Sequence, residues 1–156
     1  MSAGRICVRS VDTASMNESA YAAAQRMHTR NVGSLVVVDK DHRPIGLLTD
    51  RDLVVRVIAE SHDPNEILVG QVMTRLPQMI QEQTTIEEAL GLMRSGPYRR
   101  LPVVAQDGHL VGILSLDDIL DLLAKEFGEI GRLLHKESPQ ALAATIDYRV
   151  KRSTPA

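Results

Sequence analysis

The sequence predicts an α/β (α+β) fold in which one unit is built twice, each copy a small mixed sheet with two packed helices. Three observations predict it. Gly46-Leu47-Leu48-Thr49-Asp50-Arg51-Asp52 returns sixty-six positions later as Gly112-Ile113-Leu114-Ser115-Leu116-Asp117-Asp118. The shared pattern is glycine, two aliphatics, a hydroxyl residue, two free positions and an aspartate. The flanks keep the same offset without a gap: Ala23 meets Ala89, Met27 meets Met93, Leu35 meets Leu101 and Asp41 meets Asp107. Each copy also runs through the same succession of helical and β-rich stretches, so the recurrence marks a structural repeat.

The elements follow in order. An extended piece is expected before each first helix, near Ile6-Cys7-Val8 and Gln78-Met79-Ile80. Ser19 to Arg30 reads as a helix, with Ala20, Ala23, Ala24 and Met27 on one face. Its counterpart is Thr85 to Ser95, where Thr85 and Glu88 form a capping-box pattern ahead of Ile86, Ala89, Leu90 and Met93. Gly96-Pro97 stops that helix, because proline cannot continue it. Leu35 to Val38 and Leu101 to Ala105 are strands. Polar turns follow at 39–44 and 106–109, and second strands return at Ile45 to Leu48 and Leu110 to Leu114, which makes a hairpin in each copy. Further helices are expected over Arg51 to Glu60 and Asp117 to Glu126, with a short one over Glu66 to Met73. Beyond Phe127, a helix runs to about Lys136, Ser138-Pro139 breaks it, and Ala141 to Val150 forms one more. The organisation is therefore a first repeat over 1–62, a linker over 63–68, a second repeat over 69–127 and a helical extension over 128–156. A unit of about sixty residues buries too little surface to stand alone, so the two sheets should pack about a pseudo-twofold axis and leave two equivalent clefts.

Bulk properties exclude several function classes. The 156 residues carry a formal net charge of -2, so nothing calls for nucleic acid. With no Trp and one Phe, the core must come from Val, Leu, Ile, Ala and Met. A single cysteine, Cys7, excludes an internal disulfide. The five histidines are scattered with no ligand spacing, so no metal site is expected. No signal sequence or membrane span is recognisable, so a cytoplasmic location with no membrane partner is expected. No acid–base pair, triad or Walker loop is present, so the chain is expected not to be an enzyme; nucleotide hydrolysis would lack a general base.

The repeated phrase supports two readings. Thr49 with Asp52, and Ser115 with Asp118, suit a helix start, where hydroxyl and carboxylate cap free amides. The same pair suits a nucleotide: amides and hydroxyl toward a phosphate, carboxylate toward the vicinal hydroxyls of a ribose. Spacing alone does not separate them, and both can hold together.

With its doubled phrase, its Leu-Val-Val-Val-Asp and Leu-Pro-Val-Val strands and the Val72-Met73-Thr74 opening of the second copy, the chain resembles a tandem pair of CBS domains over about Ile6 to Lys125. That resemblance implies a regulatory module binding adenine nucleotides or S-adenosylmethionine between the copies. One cleft would combine Thr49, Arg51 and Asp52 with Tyr98, Arg99, Arg100 and Pro102. The other would combine Ser115 and Asp118 with Val32, Gly33 and Ser34. No cofactor is required, although Mg²⁺ can bridge bound phosphates. The arginines favour phosphate in the first cleft, whereas the Val32-Gly33-Ser34 frame offers none, so the first should bind more tightly. The resemblance also implies a homodimer and a separate target protein. The alternative is a dimerisation scaffold without a physiological ligand.

Overall fold

The computed structural model describes residues 1–75, 78–96 and 98–136; the helix expected over Ala141 to Val150 and the Pro97 helix stop lie outside them. The chain divides into a compact unit, Met1–Asp118, and a second, Ile119–Ala156. The fold is α+β, with two small mixed sheets and their helices.

The first sheet has the order β1-β2-β3-β4, from Thr13–Ser15, Ser34–Val38, Pro44–Thr49 and Thr74–Arg75. The second has the order β5-β6-β7, from Ile80–Gln81, Arg100–Val104 and Leu110–Ser115. The sixty-six-residue offset survives in the register. Leu35 pairs with Leu48 and Leu101 with Leu114, and each hairpin carries an irregularity at the same place, Val37/Val38 and Val103/Val104. Ala14 pairs in parallel with Val37 as Ile80 does with Val103. In the hairpin turns the positive-φ position is His42 (φ 57°) in one copy and Gly108 (φ 89°) in the other.

The helices begin where capping chemistry places them. Ser19 caps α2 (Ala20–Arg30) by accepting from Ala22 N–H. Thr85 and Glu88 form the expected capping box on α5 (Ile86–Ser95). The bonds from the backbone and hydroxyl of Thr85 hold the Glu88 carboxyl below its ordinary range. Asn31, in the left-handed region at φ 53°, ends α2.

Three expectations need correction. The extended piece is not at Ile6-Cys7-Val8. Ala3–Ile6 is a helical turn, α1, and the strand is Thr13–Ser15, whose Ala14 is buried against β2. Its counterpart lies at Ile80–Gln81, slightly beyond the expected Gln78 to Ile80. The helix expected over Arg51 to Glu60 is α3 (Asp50–Leu53) continuing as a π-helix, Val54–Ile58, with Ala59 N–H donating to Val54 O. The helix over Glu66 to Met73 shrinks to α4, Val69–Val72. The continuation of the final helix to about Lys136 is as expected: α6 runs unbroken from Leu116 to Lys136, with Gly128 and Gly131 tolerated inside it.

The opening segments of the two copies are exchanged. Val69 N–H donates to Glu18 O and Gly70 N–H to Met16 O, while β4 pairs with β3. At the equivalent positions Ala3 N–H donates to Thr84 O, Gly4 N–H to Glu82 O, and Val8 bridges Ile113. Each copy thus supplies the edge of the other's sheet. The hydrophobic core reflects this: Val69, Val72 and Met73 join Ala14, Ala23, Met27, Leu35, Val37 and Leu48 in one cluster. Among the described residues the buried hydrophobics are aliphatic or Met, as the composition requires.

The exchange explains the glycine of the repeated phrase. A Cβ at Gly46 would sit 2.3 Å from Met73 Sδ, and one at Gly112 would sit 2.7 Å from Cys7 Sγ and 2.9 Å from Val8 O. Only a residue without a side chain lets the crossing segment lie this close to the strand.

Candidate functional site

At the end of β3, Thr49 accepts at its hydroxyl from Asp52 N–H (3.1 Å), and Asp52 Oδ2 accepts from Thr49 N–H (2.9 Å) and Thr49 Oγ1–H (2.7 Å). The second copy repeats this. Asp118 Oδ2 accepts from Ser115 N–H (2.7 Å) and Oγ–H (2.6 Å), and Asp118 N–H donates to Ser115 Oγ (3.1 Å). The capping reading is therefore correct, and it occupies one oxygen of each carboxylate. The single hydroxyl proton of Thr49 and of Ser115 points at its own aspartate, so either hydroxyl must turn before it can donate to a phosphate.

The same residues also line cavities. One, of about 680 Å³, is walled by Leu47, Thr49, Asp50, Arg51, Asp52, Thr74, Tyr98, Arg99 and Arg100. It joins the phrase of the first copy to the strand entry of the second, as expected for every residue but one. Pro102 is fully buried inside β6, one residue pair further along the strand than Arg100, and does not line it. The other cavity, about 210 Å³, brings together Val32, Gly33, Ser34, Ser115 and Asp118 as expected, with Val8, Ser10, Val11, Asp12, Ile113 and Arg100.

Arg100 corrects the expectation that the second cleft lacks an arginine. It lines both cavities, and its Nη2 lies 3.8 Å from where a Gly33 Cβ would stand. A strand residue with a long side chain reaches beyond its own copy, which sequence offset does not reveal. Thr74 and Val8 were also missed, although they occupy equivalent positions and each lines a cavity through the exchange. Asp50 was passed over as one of the free positions of the phrase.

The cavities differ in charge and size. The first holds three arginines against two aspartates; the second holds Arg100 against Asp12 and Asp118. Small-molecule sites usually occupy about 300–1,000 Å³, a range that includes the first cavity and not the second. Asp52 has a further partner: Arg56 Nη2 lies 3.3 Å from Oδ1, while Arg56 Nη1 donates to Val72 O at 2.6 Å. This arginine ties the carboxylate to the exchanged segment. A hollow of about 740 Å³ elsewhere, beside β1 and α2, is less suited to an anion. Its Arg26 is held bidentate by Glu18, at 2.6 and 2.9 Å, and its Arg30 pairs with Asp12.

Other chemistry is poorly supported. Burial pushes the Cys7 thiol up despite the Arg9 guanidinium nearby, which leaves it a weak nucleophile. Among the described residues no group of three or more His, Cys, Asp or Glu is placed to hold a metal, and no helix is long and apolar enough to cross a membrane.

Comparison with known proteins decides the family. The family model described as "CBS domain" matches twice, over residues 3–59 and 69–125. The chain belongs to the CBS domain family. An uncharacterized protein of Methanopyrus kandleri is 35% identical to this CBS pair over 122 residues, 78% of this chain, which spans 62% of that relative's length. The crystal structure of Hypoxic Response Protein I with two coordinated zinc ions superposes at a TM-score of 0.71 with 32% identity, covering 78% of this chain and 98% of that one. CBSX2, solved in complex with AMP, matches at a TM-score of 0.69 with 25% identity, over 80% of this CBS pair and 96% of its own chain.

Proposed function

We propose that this CBS pair is a non-catalytic regulatory module that binds an adenine nucleotide (AMP, ADP or ATP) or S-adenosylmethionine between its copies, most tightly in the first cavity. One observation carries the reading: each hydroxyl–carboxylate pair faces a cavity whose other wall comes from the opposite copy. The AMP complex of CBSX2 supports the choice of ligand. In the first cavity Asp52 Oδ1 accepts from the vicinal hydroxyls of the ribose. Thr49 turns its hydroxyl to a phosphate, Arg51, Arg99 and Arg100 pair with phosphate oxygens, and Tyr98 flanks the base. Mg²⁺ can accompany a polyphosphate. Occupancy shifts the two copies relative to each other, and a dimer interface or a separate target protein reads the shift.

A dimerisation scaffold is favoured by a different observation. On α6, Leu120, Leu123, Phe127, Ile130 and Leu134 are exposed at alternating spacings of three and four, the pattern of an apolar seam between helices. Thermal melting with AMP, ADP, ATP, S-adenosylmethionine and NADH separates the two roles. A ligand that binds only the folded state raises the melting temperature, by an amount set by its concentration over Kd. A scaffold melts at one temperature in every ligand.

A further inference from the structure

Arg100 lines both cavities. In the first it stands with Arg51 and Arg99. In the second it is the one cation among the described lining residues, facing Asp12 and Asp118. Its Nη2 and Asp50 Oδ2 lie 3.8 and 3.3 Å from the same point, the place of a Gly33 Cβ, so the guanidinium sits at the boundary between the two spaces. A guanidinium has five donors in one plane, and a phosphate that takes its bidentate edge fixes the plane and draws the side chain toward its own cavity, away from an anion in the other.

We propose that the two cavities share Arg100, so that an anionic ligand in the first withdraws the cation on which an anion in the second depends. This rests on the cleft-binding reading above and gives it a rule of occupancy: one nucleotide per chain binds well, and a second binds without the arginine of its cavity. Coupling between sites in proteins commonly amounts to about 5–150-fold in affinity.

The test is calorimetric titration of the whole chain with AMP. The wild type should bind in two unequal steps. Asp52→Ala disables the first cavity and leaves Arg100 free for the second. The remaining step, identified by its loss when Asp118→Ala is added, should then be roughly tenfold tighter than the weak step of the wild type. Adding Arg100→Gln to Asp52→Ala should return it to the wild-type weak value. Asp52→Asn, which keeps an acceptor for the cap, replaces Asp52→Ala if the latter does not fold. Two equal AMP steps in the wild type, a second-cavity affinity untouched by Asp52→Ala, or no AMP step at all in Asp52→Ala, each overturn the sharing and leave the cleft reading standing. A wild type that binds no AMP removes both.

Discussion

Gly46 and Gly112 occupy the same place in the repeat, yet replacing each by alanine should have different costs. At Gly112 the new methyl would lie 2.9 Å from Val8 O. That carbonyl accepts from Ile113 N–H at 3.0 Å, and Val8 N–H donates back to Ile113 O at 2.9 Å, so the obstacle is backbone held at both ends. At Gly46 the closest atom is the Met73 sulfur, at 2.3 Å; the nearest backbone atom, Thr74 O, is at 3.2 Å. A thioether can swing to another rotamer, whereas a doubly bonded backbone must break contacts to move. Overpacking typically costs about 1–3 kcal/mol, offset by about 0.4–1 kcal/mol from the stiffer unfolded chain. Gly112→Ala should therefore lose about 2 kcal/mol and Gly46→Ala under about 1 kcal/mol. At this chain length that separates the melting temperatures by roughly 2–4 °C per kcal/mol. Urea unfolding of both variants, with Gly46→Ala/Met73→Ala as a coupled pair, measures it. If Gly46→Ala proves the more damaging, or Gly112→Ala is neutral, the exchanged-segment explanation of the glycines is wrong.

Further outcomes are expected. Asp52→Ala should weaken nucleotide binding by about tenfold or more, since bonds to a charged group contribute about 1.5–3 kcal/mol, and Asp118→Ala should weaken it less; titration giving the reverse order removes the preference for the first cavity. Because the Glu88 carboxyl is depressed in the folded protein, its contribution is present above the unfolded carboxylate range and is lost as pH falls through the folded value. The melting gap between wild type and Glu88→Gln should thus be open near neutrality and close in acid; a gap independent of pH contradicts this. His42→Gly should stabilise by about 1 kcal/mol, since a left-handed residue other than glycine costs about 1–2 kcal/mol and Gly108 already fills that place in the other copy. Chemical denaturation showing a loss would place the strain elsewhere.

Much of the fold was legible because the repeat supplies its own alignment. Strands, hairpin turns and the Thr85 cap follow from local chemistry read twice. The first strand was misplaced because Ile6-Cys7-Val8 is the more apolar stretch, while Thr13-Ala14-Ser15 is short and polar at its ends. The offset held the answer, since Ile80 maps to Ala14. The exchange was invisible because nothing local tells residues 3–8 to pack on residues 82–113. The widening of the helix at Val54–Ile58 likewise has no composition signal. At the site, the resemblance to CBS pairs placed all but Pro102 of the expected residues at a cavity. It did not find Arg100 in the second, because the reach of a long side chain across a pseudo-axis breaks the symmetry that the repeat imposes.

The crossing of the opening segments has a consequence for how the chain acquires its structure. During synthesis, residues 3–8 leave the ribosome well before residues 82–113 and have no surface to join until those follow, and the first sheet lacks its outer edge until residue 75 has emerged. Neither half can mature before the other exists. Folding should be slow for a chain of this size, since contacts distant in sequence delay the barrier crossing, and loss of either half should unravel both in a single cooperative step.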